Sequence, residues 1–106
     1  MKLITSEILG KLKSNPEKHP DNKPWLKLFN PAGSGTWLIS ELKDDIMYGL
    51  CDLGHGSPEL GYVSLKELES LKLPFGLKIE RDMYFKPTKS LNEYAKEARK
   101  VRYITS

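Results

Sequence analysis

Between Thr36 and Leu53 the chain carries large apolar side chains on both phases of a two-residue alternation: Trp37 and Ile39 against Leu38 and Leu42, then Tyr48 and Leu50 against Met47 and Cys51. A strand sends successive side chains to opposite faces, so strands apolar on both phases must be covered on both faces. The segment therefore predicts two sheet strands, Thr36 to Leu42 and Ile46 to Leu53, joined at the charged step Lys43-Asp44-Asp45 and enclosed by other elements. Trp25 to Phe29 reads as a strand before them, linked through the turn residues of Asn30 to Gly35. Short connections of this kind predict an antiparallel meander.

The covering elements are legible as helices. Ile4, Ile8, Leu9 and Leu12 recur at helical spacing behind a Thr5 cap, with Glu7 in the positive first turn. Ser64 and Glu67 match a capping box, with Val63 and Leu68 as its hydrophobic staple, and that helix must end before Pro74. Ser90 and Glu93 repeat the pattern ahead of a stripe formed by Leu91, Tyr94, Ala95, Ala98 and Val101. Lys78 to Phe85 reads as a strand, with Ile79, Arg81, Met83 and Phe85 on one face. Residues 14–24, holding Pro16, Pro20 and Pro24 among charged residues, read as the most mobile loop. Gly54 to Gly61 reads as a glycine-containing connection displayed at the rim. The expected class is α+β, a mostly antiparallel sheet of about four strands with two to three packed helices in the order α-β-β-β-α-β-α.

With 106 residues, 39% hydrophobic and 29% charged, the chain is expected to form a single compact domain, 1–106, with one real core. The formal charge of +3 comes mostly from lysines, with Arg81, Arg99 and Arg102 the only arginines, which falls short of a nucleic-acid footprint. Cys51 stands alone, so no intramolecular disulfide can form and a staple-dependent secreted scaffold is excluded. Glu7 interrupts the start before a signal-peptide core can form, and no apolar run reaches the length of a membrane helix. These features predict a cytoplasmic protein with no membrane association.

Candidate chemistry is sparse. Cys51 with His55 has the residue types of a thiol nucleophile and its base, but a cysteine inside an apolar strand behaves as a small hydrophobe. Asp52, His55 and Glu59 have metal-donor types at a spacing that matches no recurring signature, and His19 reads as solvated, so no metal is expected. Glu80 and Asp82, two apart on a strand, have the form of an acid-base pair for a small hydrolase with His55; neutralisation by a nearby lysine is the plainer reading. Gly33-Ser34-Gly35 and Gly54 to Gly61 lack the endings of a P-loop and the spacing of a dinucleotide fingerprint, so they read as turn geometry and imply no cofactor. Arg81, on the apolar side of its strand, needs an anion or a route to water. Asp52 or Glu59 is the expected partner in a structural ion pair, with an edge arginine whose head reaches solvent as the alternative. Trp25, Trp37 and Tyr62 read as core before they read as an aromatic platform.

Gly49 to Gly54, Pro58 to Ser64, Glu67 to Glu69 and Glu80 to Phe85, taken in this order with Thr36 to Leu38 and Pro87-Thr88, resemble the bacterial domain of unknown function family 2958. The resemblance covers nearly the whole chain. His55 departs from it, since the family commonly has an aromatic residue there. The resemblance implies a small accessory protein of mobile genetic elements, and it carries over no catalytic residue. Together with the lack of a competent catalytic constellation it suggests a non-enzymatic protein-binding module, in its specific form an inhibitor of a host restriction or CRISPR complex, contacting its partner through His55, Ser57, Glu59 and Tyr62. Two alternatives stand beside it: a nucleic-acid-binding protein using Lys96, Arg99, Lys100 and Arg102 on the last helix, aided by Lys86 and Lys89, and the small hydrolase above.

Overall fold

Two adjacent aspartates close the central hairpin. Asp44 takes up a left-handed φ of 56°, which a short polar side chain tolerates, and Lys43 pairs across the turn with Ile46. This joins β2 (Thr36–Lys43) to β3 (Ile46–Asp52), the longest ladder of a computed structural model that describes residues 3–106. Around it stand α1 (Ser6–Ser14), β1 (Leu26–Phe29), β4 (Glu59–Ser64), α2 (Leu65–Ser70), a single tight turn (Pro74–Gly76), β5 (Glu80–Arg81) and α3 (Leu91–Val101). The strands form one antiparallel sheet in the order β4-β3-β2-β1-β5.

The two-sided pattern of β2 and β3 is met by two apolar layers. On one face Trp37, Ile39, Leu42 and Met47 join Leu26, Leu28 and Ile79 under Leu12 of α1 and Leu68 of α2. On the other, Leu38 and Leu50 pack against Leu91, Tyr94, Ala95 and Ala98 of α3. Each fully buried leucine contributes about 1.5–3 kcal/mol, so the layers and the ladder between them form one cooperative unit. All three helix caps expected from the sequence are present: Thr5 Oγ1, Ser64 Oγ and Ser90 Oγ each accept the N–H of the residue three positions on. Ser90 and Glu93 complete a reciprocal box. At α2, the Ser64 hydroxyl instead donates to Asp45, whose carboxylate also accepts the Lys66 N–H. Those two bonds hold the Asp45 carboxyl below its ordinary range and tie the hairpin to the helix start.

The α+β class holds, and the structure revises several local expectations. The stretch Glu59 to Ser64 is a strand, β4, rather than the end of a connection, and it makes the sheet five-stranded. The strand expected over Lys78 to Phe85 shrinks to Glu80–Arg81. Asp82 donates its N–H to the Lys27 carbonyl, and its own carboxylate and carbonyl accept from Tyr84 and Phe85, so the backbone turns there; Met83 stays exposed while Phe85 packs in the layer of α3. The proline-rich loop is hydrogen-bonded to the body of the fold: Asn22 accepts from Leu91 at 2.8 Å, Pro20 accepts from Asn92 at 3.3 Å, and Asn15 donates to the Ser40 carbonyl. Val101, expected in the buried stripe of α3, is 46% exposed.

The register shifts by one residue between Ile39 and Glu41, and Gly49 sits opposite Ile39 beside this bulge. A Cβ at Gly49 would stand 2.0 Å from the Leu38 carbonyl oxygen, whereas one at Gly61, its partner across the β3–β4 ladder, would meet nothing. Gly49→Ala is expected to lose about 2–3 kcal/mol of stability, the cost of overpacking against backbone that cannot move aside. Gly61→Ala should be neutral or slightly stabilising. Urea denaturation of both variants checks the contrast, and equal midpoints would sink it.

Candidate functional site

The two edges of the sheet differ. β5 presents only two residues, while β4 presents six, hydrogen-bonded on one side to β3. Strand pairing is satisfied on that side alone, so the outer N–H and C=O groups of Glu59–Ser64 form a ready template for another extended segment. Tyr62 lies opposite Tyr48 in the ladder, their ring centroids 5.1 Å apart and the planes tilted by 59°. The Lys18 ammonium from the proline-rich loop lies 5.1 Å from the Tyr62 ring centre, and Tyr62 remains 52% exposed. A cleft of about 630 Å³ opens beside this pair, walled by Leu12, Glu41, Leu42, Ile46, Tyr48 and Tyr62.

Glu41 is the buried acid of this region. It follows the bulge on β2, is only 8% exposed, and accepts the Lys18 N–H. Burial pushes its carboxyl above the ordinary value of 4.5, partly offset by hydrogen bonds from the Lys18 N–H and from Asn22. Sequence reasoning did not select Glu41, Tyr48 or Lys18. The signal for Glu41 was present as a carboxylate inside an otherwise apolar strand; nothing local marks Lys18 as its partner.

Of the residues expected to face a partner, His55, Ser57, Glu59 and Tyr62 are all exposed. They do not form one patch. Glu59 and Tyr62 share β4 but lie three positions apart, on opposite faces, and His55 and Ser57 belong to the turn before it. Asp52, Glu59 and Arg81 are not brought together either. Arg81 is on β5 at one edge of the sheet and Glu59 on β4 at the other; Asp52, on β3, is separated from β5 by two strands, roughly 14 Å at ordinary strand spacing. The Arg81 guanidinium donates to the Leu3 carbonyl at 2.7 Å. Asp52 accepts instead from Gly54 at 2.9 Å and from Ile104 at 3.0 Å, closing the turn after β3 and holding the segment after α3. The pairing failed because sequence proximity to a loop says nothing about which edge of the sheet a strand joins.

The hydrolase set is likewise dispersed. Asp82 forms an ion pair with Lys27 at 3.7 Å, the plainer reading of that carboxylate, and His55 belongs to the β3–β4 end of the sheet, across β2 and β1 from β5. Cys51 packs against the layer of α1 and α2, and burial raises its thiol pKa to about 11, which keeps it protonated. Among the described residues no cluster of His, Cys, Asp and Glu is placed to hold a metal ion. Gly33 to Gly35 and Gly54 to Gly56 do meet, in a cleft of about 390 Å³ shared with Arg102 and Tyr103. There a Cβ at Gly54 would stand 2.3 Å from the Ser34 Cβ, so close loop packing demands the glycine. Lys96, Arg99, Lys100 and Arg102 are all exposed on α3 and its C-cap.

Fold and surface together define a small α+β protein built on a single antiparallel sheet, with no described helix long and apolar enough to cross a membrane. Residues 3–105 match the family described as a protein of unknown function, DUF2958, and the chain belongs to it. No curated protein and no solved structure matches the chain.

A raised acid pKa means that the folded chain holds the Glu41 proton more tightly than the unfolded chain, so this contribution to stability is complete below 4.5 and is lost as pH rises through the raised value. Relative to Glu41→Gln, the native protein should fare best in acid and lose ground with rising pH; urea midpoints that stay parallel across a pH series would contradict this. The Cys51 thiol should resist alkylation by iodoacetamide at pH 8 in the folded protein and react on unfolding, as followed by mass spectrometry.

Proposed function

We propose that this protein is a non-enzymatic protein-binding module, an accessory of mobile genetic elements that engages a host protein complex through the outer edge of β4 and Tyr62. The observation that carries the reading is the open six-residue edge of β4 with a half-exposed tyrosine on it. Strand addition supplies main-chain hydrogen bonds, and a tyrosine seated against Tyr48 supplies an anchor that loses little side-chain entropy on binding. The accessory role is what the resemblance drawn from the sequence implies, and inhibition of a restriction or CRISPR complex is the specific form of it that we favour. The dispersal of His55, Glu80 and Asp82 across the sheet favours binding over hydrolysis.

A second reading, nucleic-acid binding in the cytoplasm through Lys96, Arg99, Lys100 and Arg102, rests on the exposure of all four cations along one helix. Its affinity would fall steeply with salt. The tagged full chain, expressed in its native host, should retain a defined protein partner identified by mass spectrometry. Titration of that purified partner with Tyr62→Ala should show at least tenfold weaker binding, about 1.4 kcal/mol, at unchanged circular dichroism. Equal affinity of Tyr62→Ala would remove the β4 surface. A salt-sensitive gel shift abolished by charge reversal on α3, with no protein retained, would replace the first reading by the second.

A further inference from the structure

Between α2 and β5 the chain makes a tight reversal at Pro74-Phe75-Gly76-Leu77. The Leu77 N–H donates to the Pro74 carbonyl at 3.3 Å, and the Leu73 N–H to the Leu77 carbonyl at 3.1 Å. Both central residues have positive φ, 63° at Phe75 and 71° at Gly76. That is the signature of a type I′ turn, whose first central position normally belongs to Asn, Asp or Gly, because a Cβ in the left-handed region crowds the following carbonyl. A phenylalanine there is strained, and its ring is 96% exposed, so no packing within the described chain repays the strain.

The other left-handed residues outside glycine have structural accounts. Asp44 tolerates the conformation in its hairpin, Arg102 takes the left-handed C-cap of α3, and the Lys18 N–H reaches Glu41. Phe75 alone has none. The stem of the turn is fixed: Leu73 packs against the core and Ile79 is 5% exposed within it. Leu71 is also exposed, and the flanking charges are Lys72 and Lys78, with no acid between Glu69 and Glu80.

We infer that the tip Leu71–Lys78 is an interaction surface in which Phe75 is the anchor, and that it fits a protein presenting an apolar pocket rimmed by carboxylates. The pocket takes the ring, and the rim complements Lys72 and Lys78. The left-handed backbone fixes the direction of the Phe75 Cα–Cβ bond; a partner with a fixed cavity makes use of that, whereas a fluid bilayer accepts an aromatic ring from any direction and gains nothing from the strained turn. This surface is separate from the β4 edge. Leu73 and Ile79 belong to the layer of α1 and α2, whereas Tyr62 lies against Tyr48, which packs in the layer of α3.

The test places a photocrosslinker in the full chain, Phe75→p-benzoylphenylalanine, irradiates it in the native host and maps the crosslinked peptide by mass spectrometry. The expected result is one protein, crosslinked at an apolar pocket bordered by Asp or Glu and competed away by unlabelled native chain. With that purified protein, Phe75→Asn should bind at least tenfold more weakly, Lys72→Glu with Lys78→Glu should weaken binding most at low salt, and Tyr62→Ala should leave the crosslink in place. Phe75→Asn should melt at the same temperature as the native chain or higher, because asparagine accepts the turn. Crosslinks to lipid, to a second copy of the chain or to a scatter of proteins would overturn the inference. So would no crosslink at all, undiminished binding by Phe75→Asn, or a lowered melting temperature that showed the ring to serve folding.

Discussion

The contact between Gly49 and the backbone of Leu38 and Ile39 governs the rest of the architecture. β2 and β3 approach there so closely that a Cβ cannot be placed, and the one-residue shift beside it turns Glu41 into the ladder opposite Tyr48 while Leu42 keeps to the face of α1. Without the bulge, every side chain after Ser40 would change face, sending Leu42 toward α3 and Glu41 into the larger apolar layer. The shift lets one strand serve two cores and still deliver a carboxylate to the margin. Both faces of the central strands are then covered, and the strand backbone left open to a partner lies at the β4 edge.

The proline-rich segment takes its place from this arrangement. Prolines 16, 20 and 24 prevent helix or strand, so its polar backbone groups need partners from outside the segment. Glu41 accepts from Lys18 on one side, and Pro20 and Asn22 accept the free N–H groups at the start of α3 on the other. The segment thereby links the bulge of β2 to the first turn of α3. It also carries Lys18 over Tyr62, so the burial that raises the Glu41 pKa and the setting of the exposed tyrosine depend on the same few bonds.

What was legible in the sequence had local causes. Thr5, Ser64 and Ser90 announced their helices because a cap acts within three residues, and the double-sided strands announced two covering layers because side-chain alternation needs no tertiary knowledge. The losses were non-local. β4 was hidden by Pro58 and Gly61, which resemble loop residues when pairing with β3 is unseen. The expected Arg81 ion pair failed because the order β4-β3-β2-β1-β5 sets its strand at the edge away from Glu59 and two strands away from Asp52. The partner surface was half legible: Tyr62 was singled out, but its supports Tyr48 and Lys18 come from β3 and a loop more than forty residues upstream, about which local pattern is silent.

A sequence that specifies one structure agrees with it at every level, and departures are ordinarily compensated nearby. Glu41 breaks the pattern of an apolar strand and is compensated by the Lys18 N–H and Asn22. Asp52, also buried, is compensated by Gly54 and Ile104. Phe75 breaks the rule of its turn and receives no compensation from the described chain, though an asparagine at that position would relieve the strain at no cost in packing. An uncompensated departure is the mark of selection for something other than folding, and an aromatic ring held outward on a fixed stem between two lysines is suited to contact with another molecule.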